Sequence, residues 1–299
     1  MKERKFVRRS LRHLSSDLKR YGHQASHPTV GKLLREENYS PKANRKRYAS
    51  SHHPDRDRQF RHIAQLKNAF VAAGKPVISI DTKKKELIGN FHQRGRIWCQ
   101  EAEAVNTHDF KKEASAQTVP YGLYVLNQNH GYVRVGLSAN TAELAVDTIV
   151  SWWETEGQQD FPATQELLIL ADGGGSNGHR PRLWKTRLQT EVADRFGLTV
   201  TVCHYPTGAS HYNPVEHRLF GPISSNWAGT PLRTLSIMLA CIRGTTTETG
   251  LTVKASLNRK CYRTGIKVSD QEMGSLNLER HRICPSWNYT IKPRHQPQE

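Results

Sequence analysis

Cysteine is scarce and poorly spaced for metal binding. The 299 residues contain five (Cys99, Cys203, Cys241, Cys261, Cys284) and no C-x-x-C pair, which argues against a structural zinc site. The odd, scattered set fits a reducing compartment better than secretion. No apolar run approaches the roughly 18–20 residues needed to span a bilayer. The N-terminus has charge but lacks the apolar stretch of a signal peptide. Hydrophobic residues make up only 36%, so part of the chain is expected to be extended or partner-dependent. Acidic residues are in deficit, with 27 Asp and Glu against 44 Lys and Arg, a formal charge of +17. Such an excess favours polyanions as partners and speeds their encounter.

The positive charge is concentrated at one end. Residues 1–75 hold 19 Lys and Arg against 6 Asp and Glu, or +13 of the total. This end reads as a partner-binding module and the remainder as an ordinary soluble domain. Ser10 can cap a helix carrying Leu11, Leu14 and Leu18 at helical spacing. Tyr21-Gly22-His23 breaks it, and Ser26 with Pro28 starts a second helix. There Val30, Leu33 and Leu34 are expected inward, and Lys32 and Arg35 outward, toward DNA. Two short helices on a basic background predict a helix-turn-helix-like DNA-binding segment over residues 1–39. Residues 40–75 read as a basic linker and a helix. Arg45, Lys46 and Arg47 either track a phosphate backbone or form a solvated charge run. Phe60, Ile63, Leu66, Ala69 and Phe70 mark the helix, which ends at Gly74.

After residue 76 the pattern changes to strands alternating with helices. The first strand is expected at about 77–82. Two more, at 119–126 and 131–138, are joined by a hairpin turn. Thr141 caps a helix with Ala145, Ile149 and Trp152 inward. A strand at 167–171, an amphipathic helix over 182–196 and a strand from Leu198 to Cys203 follow. Pro214 can open a last helix. The order β-β-β-α-β-α-β-α predicts an α/β fold, a ribonuclease-H-like mixed sheet flanked by helices, as the catalytic domain over residues 76–230. Residues 231–299 form a C-terminal extension with one helix at about 231–243 and few clear periods.

Asp81 ends one apolar run, Val77-Ile78-Ser79-Ile80, and Asp172 ends another, Leu167 to Ala171. A carboxylate at a strand end is held rigidly at the rim of a core. With Glu216, just inside the last helix, such acids can grip divalent ions that activate water and stabilise a leaving oxygen. Lys83, Lys84 and Lys85 are placed to hold DNA phosphates nearby and to depress the Asp81 pKa. The glycines after Asp172, with Asn177, allow close backbone approach to a ligand, but no Gly-Lys-Ser/Thr follows, so the loop is not a nucleotide triphosphate cradle. Asn213 and Glu216 lie one turn apart and can face one site. Pro222, soon after, predicts a kink. His204, His211 and His217 straddle a Pro/Gly loop, a poor arrangement for metal.

Several blocks resemble one known family. They are Asp81 to Phe91, Val105-Asn106 with His108-Asp109-Phe110, Pro120-Tyr121-Gly122, Ala171 to Asn177, Glu216 to Phe220, Lys267-Val268-Ser269-Asp270 and Trp287-Asn288-Tyr289-Thr290. In this order they resemble the Rhodopirellula-type DDE transposases, the ISAzo group of insertion sequences, over about residues 8–294. The resemblance implies a bacterial, cytoplasmic and nucleoid-associated DNA transposase that cuts and joins element ends with two Mg²⁺ or Mn²⁺ ions. Its partners are double-stranded DNA and, on DNA, further copies of itself; no membrane is involved. Asp81, Asp172 and Glu216 would be both the catalytic triad and the metal ligands. Lys83, Lys84, Lys85, Asn177, Arg45, Lys46, Arg47, Lys32 and Arg35 would be nucleic-acid contacts, with Thr82 a neighbour of the site and Asp109 a weaker acidic candidate. The chain departs from the family in starting inside its pattern, without the extreme N-terminal region, and in Ser210-His211-Tyr212-Asn213 and Gly221-Pro222. A truncated, inactive copy that binds element ends as a repressor, and a nuclease acting on RNA–DNA hybrids, are the competing expectations.

Overall fold

The computed structural model describes residues 9–41 and 53–294, which fall into two units, 1–49 and 50–299. Arg45, Lys46 and Arg47 lie outside the described residues. The first unit contains α1 (Leu11–Arg20) and α2 (His27–Glu36). Ser10 and Ser26 cap them as expected, accepting from the backbone N–H groups of His13 and Thr29. Val30 is buried, but Leu33, expected inward, is 49% exposed.

The second unit is built on a nine-stranded mixed sheet. In chain order its elements are α3 (Arg56–Ala72), β1 (Val77–Thr82), β2 (Glu86–Ile88), β3 (Ala116–Val125), β4 (His130–Gly136), α4 (Ala142–Trp152), α5 (Gln158–Asp160), β5 (Glu166–Asp172), α6 (Arg182–Leu188) and β6 (Thr199–Tyr205). They continue as α7 (Gly221–Asn226), α8 (Leu235–Arg243), β7 (Thr252–Asn258), α9 (Asp270–Gly274), β8 (Leu278–Arg280) and β9 (Asn288–Ile291). The strands run β7-β4-β3-β1-β5-β6-β9-β8, with β2 paired to β3. At the centre, β1, β5 and β6 are parallel, while β3 is antiparallel to both β1 and β4. This five-strand centre, with helices on both faces, is the ribonuclease-H-like plan expected.

Strands β1 and β5 are apolar at nearly every position because both their faces are covered. Ile78, Ile80, Leu167, Ile169 and Ala171 face α4 and α6, packing with Ile149, Trp152, Trp184 and Leu188. Val77, Leu168 and Leu170 face α3 through Ile63. A third cluster puts Leu219, Phe220, Ile223, Trp227 and Met238 over Tyr124 and Val133.

Three features depart from expectation. Residues 231–294 do not stand apart, since β7 extends the sheet beside β4 while β8 and β9 extend it beside β6. β7 alternates exposed and covered positions, while β8 and β9, three and four residues long, are too short to show a period. A short strand, β2, also pairs with β3. Finally, the helix changes its winding ahead of Pro222. Residues Glu216–Phe220 form a wider π-type turn, and Pro222 falls in the first turn of α7, where its missing N–H leaves no bond unmade.

Candidate active site

The parallel register pairs Ile80 with Ala171. Asp81 and Asp172 therefore occupy the next level on adjacent strands, whose spacing is about 4.8 Å. Strand alternation turns both toward the face of Ser79 and Leu170, opposite to Ile80 and Ala171. The chain reaches this face again at Asn213-Pro214, where Glu216 opens its turn.

One side chain joins the three segments. Asn213, fully buried, donates through Nδ2 to Asp172 Oδ1 (3.0 Å) and to the carbonyl of Ile80 (3.2 Å). Its Oδ1 accepts from the Ser79 hydroxyl, which accepts in turn from the Val215 N–H (2.9 Å). The Glu216 N–H donates to the Asn213 carbonyl (3.0 Å). Ser79, the only polar residue inside an apolar run, is thus the anchor that seats the glutamate-bearing turn against β1. That isolation was the signal for it in the sequence. Asn213→Ala should lower the activity proposed below by about 10–100-fold, the usual cost of removing a supporting hydrogen bond behind a functional ligand. Circular dichroism would check that the fold persists.

A second buried network holds the end of β5. His204 has its pKa pushed down to about 3, chiefly by complete burial, so its ring is neutral. Its Nδ1–H donates to the Asp172 carbonyl (2.9 Å), and its Nε2 accepts from the Tyr289 hydroxyl (3.2 Å). Trp184 Nε1 donates to that hydroxyl (2.8 Å). His204 is therefore structural, and Tyr289 reaches it from β9, a strand not foreseen.

The acids repel one another. Asp81 is pushed up to about 8, first by burial, then by the charge of Asp172, with Glu216 adding to the rise and the Thr82 N–H opposing it. Asp172 is raised to about 6 by burial and by Glu216, against the Asn213 hydrogen bond. The expected depression of Asp81 by neighbouring lysines is reversed. Lys83 is buried, ion-paired to Glu86 at 2.8 Å and set over the Trp227 ring at 4.6 Å. A lysine so committed faces neither Asp81 nor DNA. Lys84, Lys85, Lys32 and Arg35 are exposed. Asn177 is 1% exposed, and its Nδ2 is buried without a hydrogen-bond partner among the described residues. Thr82 donates to Asn140 (3.1 Å), and Asp109 is exposed, its carboxylate accepting from Thr107.

No three His, Cys, Asp or Glu side chains among the described residues draw together tightly enough to cage an ion alone. The donor chemistry nevertheless fits hard divalent cations. Two aspartates side by side and a glutamate offer only oxygen ligands, the preference of Mg²⁺ and Mn²⁺. The raised pKa values of Asp81 and Asp172 come first from burial and then from neighbouring carboxylate charge, which a cation would neutralise.

No curated protein matches the chain. Among solved structures it is similar to the Mos1 transposase paired-end complex with left transposon end, at 15% identity and a TM-score of 0.46. That likeness covers 76% of this chain and 63% of the other, so this chain spans less than two thirds of its length. The Mos1 strand transfer complex (14% identity, TM-score 0.45, 79% and 70%) and the mariner Mos1 paired-end complex with Mg (15%, 0.44, 79% and 71%) are comparable. The sequence model of the Rhodopirellula transposase DDE domain matches residues 1–293, nearly the full length. On that match, the chain belongs to the Rhodopirellula transposase DDE domain family.

Proposed function

We propose that this chain cuts DNA at the ends of an insertion sequence and joins the freed ends to target DNA. Asp81, Asp172 and Glu216 are its catalytic carboxylates. The observation that carries this reading is the matched level of Asp81 and Asp172 on adjacent parallel strands, with Glu216 delivered beside them by the Asn213 latch. Bound Mg²⁺ or Mn²⁺, two ions in this reading, would supply activation of water and charge neutralisation at phosphorus.

The chain's own groups do the positioning. Asp81 and Asp172 present oxygens from strand ends that cannot shift without breaking a core buried on both faces. Asn213 orients the Asp172 carboxylate and fixes the turn carrying Glu216. Water attacks phosphorus, the P–O3′ bond breaks and O3′ leaves with a proton as a 3′-hydroxyl; that hydroxyl then attacks a phosphodiester of the target, losing its proton as the target's own P–O3′ bond breaks and its O3′ leaves protonated. The basic N-terminal segment, with Lys32 and Arg35 exposed on α2, and Lys84 and Lys85 beside the site are the proposed DNA contacts. Double-stranded DNA and, on it, a second copy of this chain are the proposed partners, which places the protein in the bacterial cytoplasm on the nucleoid. No described helix is long and apolar enough to cross a membrane.

Duplex DNA carrying the element end, incubated with Mg²⁺ or Mn²⁺, should yield nicked products with 3′-hydroxyl ends and joined strands on a gel. Excess EDTA should stop both reactions. Cutting that persists in EDTA would overturn the reading.

A further inference from the structure

We propose that the cleft formed by Asn140, the glycine-rich loop after Asp172 and residues 263–266 is a phosphodiester-binding subsite, holding DNA backbone next to the acidic cluster. The proposal rests on the reading of DNA as substrate. The cleft has a volume of about 230 Å³ and is walled by Asn140, Ser176, Pro181, Arg263, Thr264 and Ile266, among others, with no Asp or Glu in its lining.

Two hydrogen bonds tie it to the loops that follow the aspartates, at the same end of the sheet. Asn140 Oδ1 accepts from the hydroxyl of Thr82 (3.1 Å), which follows Asp81, and from the hydroxyl of Ser176 (2.9 Å), four residues beyond Asp172. One amide thus ties the loop after β1 to the loop after β5. With its oxygen used twice, its Nδ2 has no acceptor among the described residues and remains available to donate.

The charge of the cleft comes from Arg263. It is exposed and has no carboxylate partner among the described residues. A guanidinium, an amide N–H₂ and hydroxyls, without an acid, suit a phosphate oxygen and not a cation.

The test is equilibrium binding to a mixed-sequence duplex of about 20 base pairs, in EDTA, over a series of salt concentrations. Removing one phosphate contact lowers the slope of log K against log salt by about one. Arg263→Gln should therefore weaken binding several-fold and flatten the slope by about one. Arg195→Gln, which removes the same charge from a residue paired with Glu154 outside the cleft, should do neither. Asn140→Asp keeps an oxygen for both hydroxyls but replaces the donor with negative charge, so it should bind more weakly than Asn140→Ala. A purely structural latch predicts the reverse order. The proposal is overturned if Arg263→Gln matches Arg195→Gln, or if Asn140→Ala is the weaker of the two Asn140 variants. Because binding is read without metal, a chain that passes these tests yet never nicks end-containing DNA would count against the proposed function alone.

Discussion

Asp81→Asn should abolish metal-dependent DNA cutting, by about 1,000-fold or more, while making the metal-free protein more stable at neutral pH. The loss follows if this carboxylate helps hold ions worth several kcal/mol of charge stabilisation, since each 1.36 kcal/mol is tenfold in rate. The gain in stability follows from relieving the burial of a charged carboxylate and, after that, its repulsion by the other acids. In the folded protein the Asp81 pKa rises from 3.8 to about 8, and that of Asp172 from 3.8 to about 6. Between those limits the folded state binds more protons than the unfolded state, so stability falls as pH rises. The stability is fully present below about pH 4 and is lost progressively up to about pH 8. In EDTA, the melting temperature of the parent protein should drop between pH 5 and pH 8. The Asn variant should show a flatter profile and a higher value at pH 8. Mg²⁺ should raise the parent's melting temperature at pH 8 and leave the variant nearly unmoved. A parent profile indifferent to both pH and Mg²⁺ would mean that the acids do not share one unbalanced site.

Gly122→Ala should disable the site from the sheet face that carries the acids. Gly122 lies on β3 directly opposite Asp81. A Cβ there would stand 2.4 Å from Phe220 Cε1 and 2.6 Å from its Cζ, with Leu219 Cδ2 at 3.2 Å. Both partners are buried and belong to the turn that begins at Glu216. The added methyl would lever that turn off the sheet and carry Glu216 away from the aspartates. Overpacking of this kind costs about 1–3 kcal/mol, a fall of roughly 3–10 °C in melting temperature for a domain of this size. Misplacement by about 1 Å can cost 100-fold in rate, so cutting should fall by about that much. Phe220→Leu in the same chain should restore most of the melting temperature and part of the activity. A Gly122→Ala protein with parental stability and rate would show that this close packing does not seat Glu216.

Much of this was legible along the chain. The helix caps at Ser10, Ser26 and Thr141 are local hydrogen bonds, written in three or four consecutive residues. The runs ending at Asp81 and Asp172 announced strands covered on both faces. Strands β7, β8 and β9 were not recognised. β7 alternates exposed and covered positions, but β8 and β9 are too short to show a period, and the partners of β7 and β9, β4 and β6, are distant in sequence. The role of Lys83 was misread because a lysine beside an acid looks available, yet three residues on Glu86 takes its charge and Trp227 covers it.

The sequence by itself determined the element order, the two strand-end aspartates and the basic character that suits DNA, because each is a property of neighbouring residues. Only the tertiary structure decided that Asp81 and Asp172 stand level, that Ser79 and Asn213 bring Glu216 to them, and that Asn140 bridges both loops. Those relations join residues 36 to 136 positions apart. Their energy lies in burial and hydrogen bonds that exist only after the sheet has formed, and no local pattern encodes which distant side chain will complete them.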